Sequence, residues 1–208
     1  MNTLNLLALV FRYPRAGSLE SISSAVSRLS RGGVKASLER FLKAISKLTP
    51  GEWEELYSRT LDLTPLSAPY VGYAIYGEDY RRGVFMAALN RAYAEAGVDA
   101  QGELPDHLVP VFEYLARTPN PLPELLEVLE PSVRKIHQTL KTLEPRNPYV
   151  AGLEAAHQVV ILLVKDYQGT SAGSPGSGLR RKAEVETGPV DNAATENPSP
   201  SLAPGGGA

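Results

Sequence analysis

Apolar side chains recur at steps of three and four residues over most of the first 167 positions, which is the period of an amphipathic helix. The clearest apolar seams are Leu4, Leu7 and Phe11; Ile22, Val26 and Leu29; Val34, Leu38, Phe41, Ile45 and Leu48; Phe85, Leu89, Tyr93 and Ala96; Val111, Tyr114 and Leu115; Leu126, Leu129, Val133, Ile136, Leu140 and Leu143; and Val150, Leu153, His157, Val160, Val164 and Tyr167. No segment alternates apolar and polar residues between turn residues, as a half-buried strand would. The pattern therefore predicts an all-α protein, with a single globular domain of about eight helices over residues 1–167.

Capping residues and prolines indicate where these helices begin and end. Thr49 and Glu52 have the spacing of a capping box, in which each side chain bonds the other residue's backbone N–H. A proline inside a helix costs about 3 kcal/mol. We therefore predict that the 126–143 seam breaks at Pro131, and that the helix carrying Val111 starts near Pro110.

The last forty-one residues differ in composition from the rest of the chain. From position 168 onwards Gly, Ser, Pro, Ala, Thr and Asn dominate. Such a segment buries too little apolar surface to offset its conformational entropy. Residues 168–208 are therefore predicted to be a disordered Gly/Pro/Ser-rich tail, in which the basic run at 180–182 is either solvated or in contact with an acidic partner.

Composition narrows the classes of function. The formal net charge of the 208 residues is −2, which gives no basic face for nucleic acid. The chain has no cysteine, so disulfides, zinc–thiolate sites, iron–sulfur ligation and a thiol nucleophile are excluded. No basic residue precedes the apolar run at 4–11, and no apolar stretch reaches the roughly 18 residues that span a membrane. We expect a cytoplasmic protein without stable membrane insertion.

A search for catalytic chemistry finds little. The three histidines are far apart in sequence and none has a second ligand at helical spacing; we expect His157 to be a satisfied core residue and His137 to face solvent. Phosphate-binding loops and nucleophile elbows are absent from the sequence. Five carboxylates are candidates for acid–base work, but their loop context specifies no pair among them: Asp62, Glu78, Asp79, Glu103 and Asp106. We therefore expect no enzyme activity, no cofactor and no metal.

Tyrosine is concentrated in one part of the chain. Six of the ten tyrosines lie between Tyr57 and Tyr93. Two segments that we predict to be irregular, 60–77 and 102–109, flank the helix at 79–96 in this region. Tyrosine suits protein interfaces because it combines apolar area with a polar tip. The alternative is that these rings pack in the core, and that the acidic residues nearby form a solvated rim rather than a site for a basic peptide.

Three blocks of residues in this region carry a resemblance to a known family. Residues 57–70 (YSRTLDLTPLSAPY) and 77–86 (GEDYRRGVFM) resemble the two signatures of the nitrate reductase delta-subunit (NarJ) family. Residues 103–108 (ELPDHL), followed by 112–116 (FEYLA), are similar to the Glu-x-Pro-Asp-His motif of the wider group of twin-arginine signal-peptide chaperones. The blocks have the order and spacing of the family.

The resemblance implies an all-helical chaperone without catalytic activity. Such a protein binds the N-terminal peptide of the catalytic (alpha) subunit of a respiratory nitrate reductase, and holds that subunit in the cytoplasm until its molybdenum cofactor is inserted. The implied partner-binding residues are Asp62, Ser67, Tyr70, Tyr73, Glu78, Arg81, Arg82, Phe85, Glu103, Asp106 and His107. The alternatives are a chaperone for another molybdenum enzyme, an enzyme that uses the loop carboxylates with His107, and a generic helical scaffold.

A physical role can be suggested for each part of this set. A basic amphipathic peptide would place its apolar face in a groove between helices. Three aromatic residues would then form the groove wall, and three carboxylates would meet the basic groups. The residues with these roles are Tyr70, Tyr73 and Phe85 for the wall and Asp62, Glu103 and Asp106 for the charges. His107 would report pH, and Arg81 or Arg82 would alternatively pair with a loop carboxylate.

Overall fold

The computed structural model describes residues 2–62 and 67–171. The helices are α1 (Thr3–Phe11), α2 (Ser18–Ser27), α3 (Gly33–Ile45), α4 (Pro50–Tyr57), α5 (Val71–Tyr76), α6 (Tyr80–Ala96), α7 (Leu108–Arg117), α8 (Pro123–Leu143) and α9 (Pro148–Ser171). A π-helical turn, Ser58–Asp62, follows α4. The described residues contain no β-strand, only one isolated bridge between Tyr70 and His107. The prediction of an all-α domain is confirmed.

Side chains cap several helices as their positions in the sequence indicate. The Thr49–Glu52 capping box is confirmed, since the Thr49 N–H donates to Glu52 Oε2 at 2.7 Å and the Glu52 N–H donates to Thr49 Oγ1 at 3.3 Å. Asn2 and Asp79 accept from backbone N–H groups in the first turns of α1 and α6. These bonds satisfy donors that have no partner inside the helix.

The core lies where α9 packs against α1, α3 and α8. Gly152 allows a close approach here, because a Cβ atom at this position would lie 3.2 Å from Val10 Cγ1. The fully buried ring of Tyr149 packs 5.4 Å from that of Phe41, and its hydroxyl accepts a hydrogen bond from Trp53 Nε1 at 3.0 Å. The helix that precedes the tail therefore organises the domain.

Prolines interrupt the helices less than the sequence suggests. The predicted break at Pro131 is wrong, because α8 continues through it to Leu143. Leu129 and Val133, on either side of the proline, are fully buried, and this burial offsets the cost of the proline. The helix predicted to start near Pro110 starts two residues earlier, and Pro110 occupies its first turn, where an N–H would have no helical acceptor.

Two predicted boundaries also move. The segment 60–77 is not irregular throughout, since α5 forms within it over Val71–Tyr76. At the other end, α9 extends through Ser171, four residues past the predicted boundary at 167. The prediction of a disordered tail otherwise concerns residues 172–208, which lie outside the described residues. No helix in the described ranges is long and apolar enough to cross a membrane.

Histidines on α8 and α9 face each other, with ring centroids 6.4 Å apart. The Nε2 of His157 lies 2.8 Å from Glu130 Oε1, so the histidine is satisfied as predicted, but it is half-buried rather than a core residue. His137 is half-buried rather than solvent-facing as predicted. Its Nε2 is buried and has no hydrogen-bond partner among the described residues, and burial lowers its pKa.

Candidate functional site

Backbone hydrogen bonds join the first and third of the three sequence blocks. The Val71 N–H donates to the Asp106 carbonyl at 2.8 Å, and the Leu108 N–H donates to the Pro69 carbonyl at 2.9 Å. These bonds form the isolated antiparallel bridge between Tyr70 and His107. Segments almost forty residues apart in sequence are thereby held side by side at the start of α5 and α7.

A buried ion pair ties the second block to the same place. The Arg82 guanidinium on α6 donates from Nε to Asp106 Oδ2 at 2.8 Å and from Nη2 to Oδ1 at 3.2 Å. Asp106 is 0% exposed, and its hydrogen bonds raise the pKa of Arg82. Gly72 permits this packing, since a Cβ atom there would lie 2.7 Å from Asp106 Oδ2 and 3.0 Å from Phe85 Cδ1.

The buried pair changes the roles suggested for two residues. Asp106 was expected to meet a basic group of a partner, but its carboxylate is buried and occupied by Arg82. Phe85 was expected on a groove wall, but it is buried in the core with its ring 5.9 Å from that of Tyr76. The side chains of Asp106 and Phe85 are buried, so both residues support the cluster from inside and offer almost no surface to a partner.

His107 also has a structural position. It is 2% exposed and caps α7, with Nδ1 accepting from the Val109 N–H at 3.2 Å. Accepting at Nδ1 requires the neutral ring to carry its proton on Nε2. Burial lowers the pKa of His107 to about 4, so the expectation that it reports pH near neutrality is wrong.

A groove of about 650 Å³ lies beside this cluster. Its lining comes from the residues before and within α5, from α6, from the 102–107 loop, and from one side of α8. The lining residues are Ser67, Ala68, Tyr70, Tyr73, Ala74, Arg82, Leu104, Lys135, Ile136 and Thr139. Tyr73 is 39% exposed and Tyr70 is half-buried, and the Arg82 guanidinium lies 5.3 Å from both ring centroids. The groove thus has aromatic and aliphatic walls.

Ser67 anchors one end of the groove to α8. Its hydroxyl donates to the Ile136 carbonyl at 2.7 Å, and the residue is buried. Its N–H bonds back to the Thr60 carbonyl at 3.3 Å. This part of the predicted set therefore fixes the backbone beside the groove and offers little of its own surface to a ligand.

Two carboxylates near the groove form no ion pair within the described residues. Asp62 ends the π-helical turn and Glu103 precedes the groove residue Leu104, and both are exposed. The pKa of Glu103 is raised, first by desolvation and then by the negative charge of Asp62. Burial raises the pKa of Tyr70, and the same two carboxylates raise it further. A cationic group placed near Asp62 and Glu103 would therefore reduce the repulsion between these two carboxylates.

The two remaining residues of the predicted set do not line the groove. Arg81 is exposed, donates to Asp79 Oδ2 at 3.1 Å, and lies 5.7 Å from the Tyr76 ring centroid. Glu78 is exposed and close enough to Arg82 to contribute to its raised pKa. Both arginines of this block therefore pair with carboxylates, which is the alternative that the sequence left open.

The tyrosine cluster divides between the core and the groove. Tyr57 and Tyr93 are buried, and their hydroxyls donate to the Phe11 and Pro105 carbonyls. Tyr70 and Tyr73 instead line the groove. Sequence reasoning missed the wall from α8, because Lys135 and Thr139 lie outside the apolar seam of that helix. Lys135 and Thr139 are four residues apart, which places them on one face of the helix, and this spacing was the available signal.

The sequence matches no protein-family model and no curated protein. In the described ranges, no group of three or more histidine or carboxylate side chains could hold a metal ion. The functional interpretation therefore depends on the three sequence blocks and on the groove beside them.

Proposed function

We propose that this protein is a chaperone of the NarJ type. It binds the N-terminal segment of the catalytic subunit of a respiratory nitrate reductase and holds that subunit for insertion of its molybdenum cofactor before membrane attachment. The segment lies in the groove between α5, the 102–107 loop and α8. The chaperone itself contributes no reacting group to this process.

One observation carries the proposal: the three blocks that resemble the family's signatures meet at one cluster. Residues of the first and third blocks are joined by backbone hydrogen bonds, and Arg82 of the second block pairs with Asp106 of the third. Tyr70 of the first block also packs against the Arg82 guanidinium, 5.3 Å from its ring centroid, so all three blocks meet at this place. The resemblance and the contacts therefore support each other.

The groove has the character that an amphipathic peptide needs. Its wall includes Tyr73, Leu104 and Ile136, and an apolar helical face would bury area against them. The exposed carboxylates of Asp62 and Glu103 would accept basic groups of the same peptide, since they have no cationic partner in the described residues. Tyrosine rings at the wall suit this task because they are large and rigid.

A second candidate is a chaperone for another molybdenum enzyme with a twin-arginine signal peptide. The Glu-x-Pro-Asp-His block is shared by the wider group, and in this chain Asp106 and His107 within it are structural. That block therefore does not select the client. The choice of nitrate reductase depends on the first two blocks.

The direct test is calorimetric titration of the full chain with a synthetic peptide of the N-terminal segment from the nitrate reductase of the same organism. One-to-one binding with a micromolar or lower Kd, weakened by salt, is expected. Tyr73→Ala should weaken it about tenfold, because one aromatic anchor is lost. Tyr80→Ala is the matched control, since Tyr80 is 81% exposed and does not line the groove.

The same titration decides between the candidates. Binding of a twin-arginine signal peptide of another molybdenum enzyme, and none of the nitrate reductase segment, would favour the second candidate. Equal loss of affinity for Tyr73→Ala and Tyr80→Ala would move the site away from the groove. If neither peptide binds, the chaperone proposal is wrong.

A further inference from the structure

Lys135 lies at the α8 wall of the groove and its ammonium group is held in place there. Nζ donates a hydrogen bond to the Ala74 carbonyl at 2.9 Å. Ala74 belongs to the last turn of α5, where carbonyl groups have no donor within the helix. The lysine is exposed, so a ligand in the groove can reach the ammonium group.

The two cations that line the groove differ in their partners. Arg82 makes a bidentate pair with the fully buried Asp106, which neutralises its charge. Lys135 forms no ion pair with any carboxylate of the described residues; the partner seen there is the neutral Ala74 carbonyl. An ammonium group has three donors. After the bond to Ala74, two donors of Lys135 remain directed to solvent or to a ligand.

We propose that Lys135 binds a carboxylate of the segment held in the groove and is therefore a specificity-determining residue. The inference rests on the proposed function, and it adds a requirement to it. The bound segment carries an acidic group in addition to the basic groups that Asp62 and Glu103 would accept. A segment with only basic charges would place a like charge against Lys135.

The chemistry favours a carboxylate over a neutral acceptor. Filling an apolar groove displaces water from Lys135, and a desolvated cation is stabilised most by an anion that accepts its hydrogen bonds. The groove is otherwise lined by tyrosine, aliphatic and hydroxyl-bearing residues and by Arg82, whose charge Asp106 neutralises. The charge of Lys135 therefore distinguishes one segment from another more sharply than apolar contact does.

If Lys135 only capped the C-terminal end of α5, Lys135→Met would lower the stability of the fold and would not act through one carboxylate of the peptide. Lys135→Met removes both the charge and the bond to Ala74, whereas Lys135→Arg keeps a charged donor. Lys141→Met is the matched control, because Lys141 is an exposed lysine of the same helix that does not line the groove. Thermal unfolding by circular dichroism measures any loss of stability in each variant.

The experiment is a fluorescence anisotropy titration of the full chain with the labelled nitrate reductase segment. A peptide series replaces each Asp or Glu by its amide, and the C-terminal carboxylate by a carboxamide, one at a time. We expect Lys135→Met to weaken binding of the unmodified peptide about tenfold, the size expected for one charged hydrogen bond. One amidated peptide should bind the unaltered chain as weakly, and Lys135→Met should weaken that peptide no further.

Lys135→Arg and Lys141→Met should bind within about twofold of the unaltered chain. Equal binding by Lys135→Met and the unaltered chain would overturn the inference, and so would a loss of the same factor for every peptide of the series. Either result leaves the proposed function intact, because the unmodified peptide still binds. Failure of the unaltered chain to bind any peptide would overturn the proposed function itself.

Discussion

Asp106 and Arg82 are twenty-four positions apart in sequence and bonded to each other in the fold. The sequence indicates that acidic and basic side chains occur in this region, but it does not indicate which of them face solvent. Arg81 and Arg82 are neighbours of the same type, yet one pairs with Asp79 at the surface and the other with a buried carboxylate. That difference depends on how α6 packs, which residue spacing alone does not encode.

Removing one partner of the buried pair should destabilise the whole domain. Arg82→Met leaves the Asp106 carboxylate buried without its cation, which costs roughly 3–5 kcal/mol. Arg81→Met breaks only an exposed pair and should change the free energy of unfolding by less than about 1 kcal/mol. Urea unfolding of both variants gives the comparison. Similar small losses would show that the buried pair contributes little to stability.

A further variant, Asp106→Asn, separates an effect on the stability of the domain from an effect on peptide binding. If Asp106 met the client peptide directly, Asp106→Asn would weaken peptide binding even at temperatures where the variant is fully folded. The observed geometry instead predicts that folded Asp106→Asn binds the peptide normally, because its side chain is 0% exposed. Titration well below the unfolding temperature measures this. A tenfold loss of affinity in the folded variant would contradict the structural role.

At the scale of single elements, the apolar period predicted the long helices well, whereas the prolines predicted breaks in the helices less well. The α8 helix continues across Pro131, where we predicted a break, because its apolar residues are buried at helical spacing on both sides. The cost of a proline is a local quantity, whereas the burial that offsets it depends on α9, which lies later in the chain. Short α5 is the opposite case: its six residues carry too little periodicity to be recognised beside two prolines.

Pro131 should therefore be a site where a substitution stabilises the domain. Pro131→Ala restores a backbone donor within α8 and removes the clash of the ring with the preceding turn, so we expect a gain of about 1–3 kcal/mol. Pro123 is the matched control, because it is the first residue of α8, where proline is tolerated. Urea unfolding should show a gain for Pro131→Ala and almost none for Pro123→Ala. A loss of stability at Pro131 would mean that α8 requires a bend there.

At the scale of the whole molecule, tertiary packing converts motif residues into a support for the groove. Asp106, His107 and Phe85 were candidates for contact with a partner, and all three are buried. Of the set, Tyr70, Tyr73 and Arg82 remain accessible in the groove, and Asp62 and Glu103 are exposed near it. The sequence therefore indicated the region in which the groove lies, but the division between support and surface required the positions of α6, α7 and α8.

This burial makes the stability of the molecule depend on pH through His107. In the unfolded chain a histidine binds a proton near pH 6.5, whereas burial lowers the pKa of His107 to about 4 in the folded protein. Between those values the unfolded state binds more protons, so the free energy of unfolding falls as the pH is lowered, and the loss is complete near pH 4. The total contribution is on the order of 3 kcal/mol.

His107→Asn should remove this part of the pH dependence while keeping a side chain that can cap α7. Urea unfolding at several pH values between 7.5 and 4 should then give a shallower loss of stability for the variant than for the unaltered chain. His157→Asn is the comparison, because His157 lies at the half-buried contact with Glu130 and leaves His107 in place. It should keep the steeper loss. Parallel curves of unfolding free energy against pH for the unaltered chain and His107→Asn would mean that His107 is protonated at the same pH in the folded and unfolded states. Acid would then act on the fold through other groups, such as the half-buried His137.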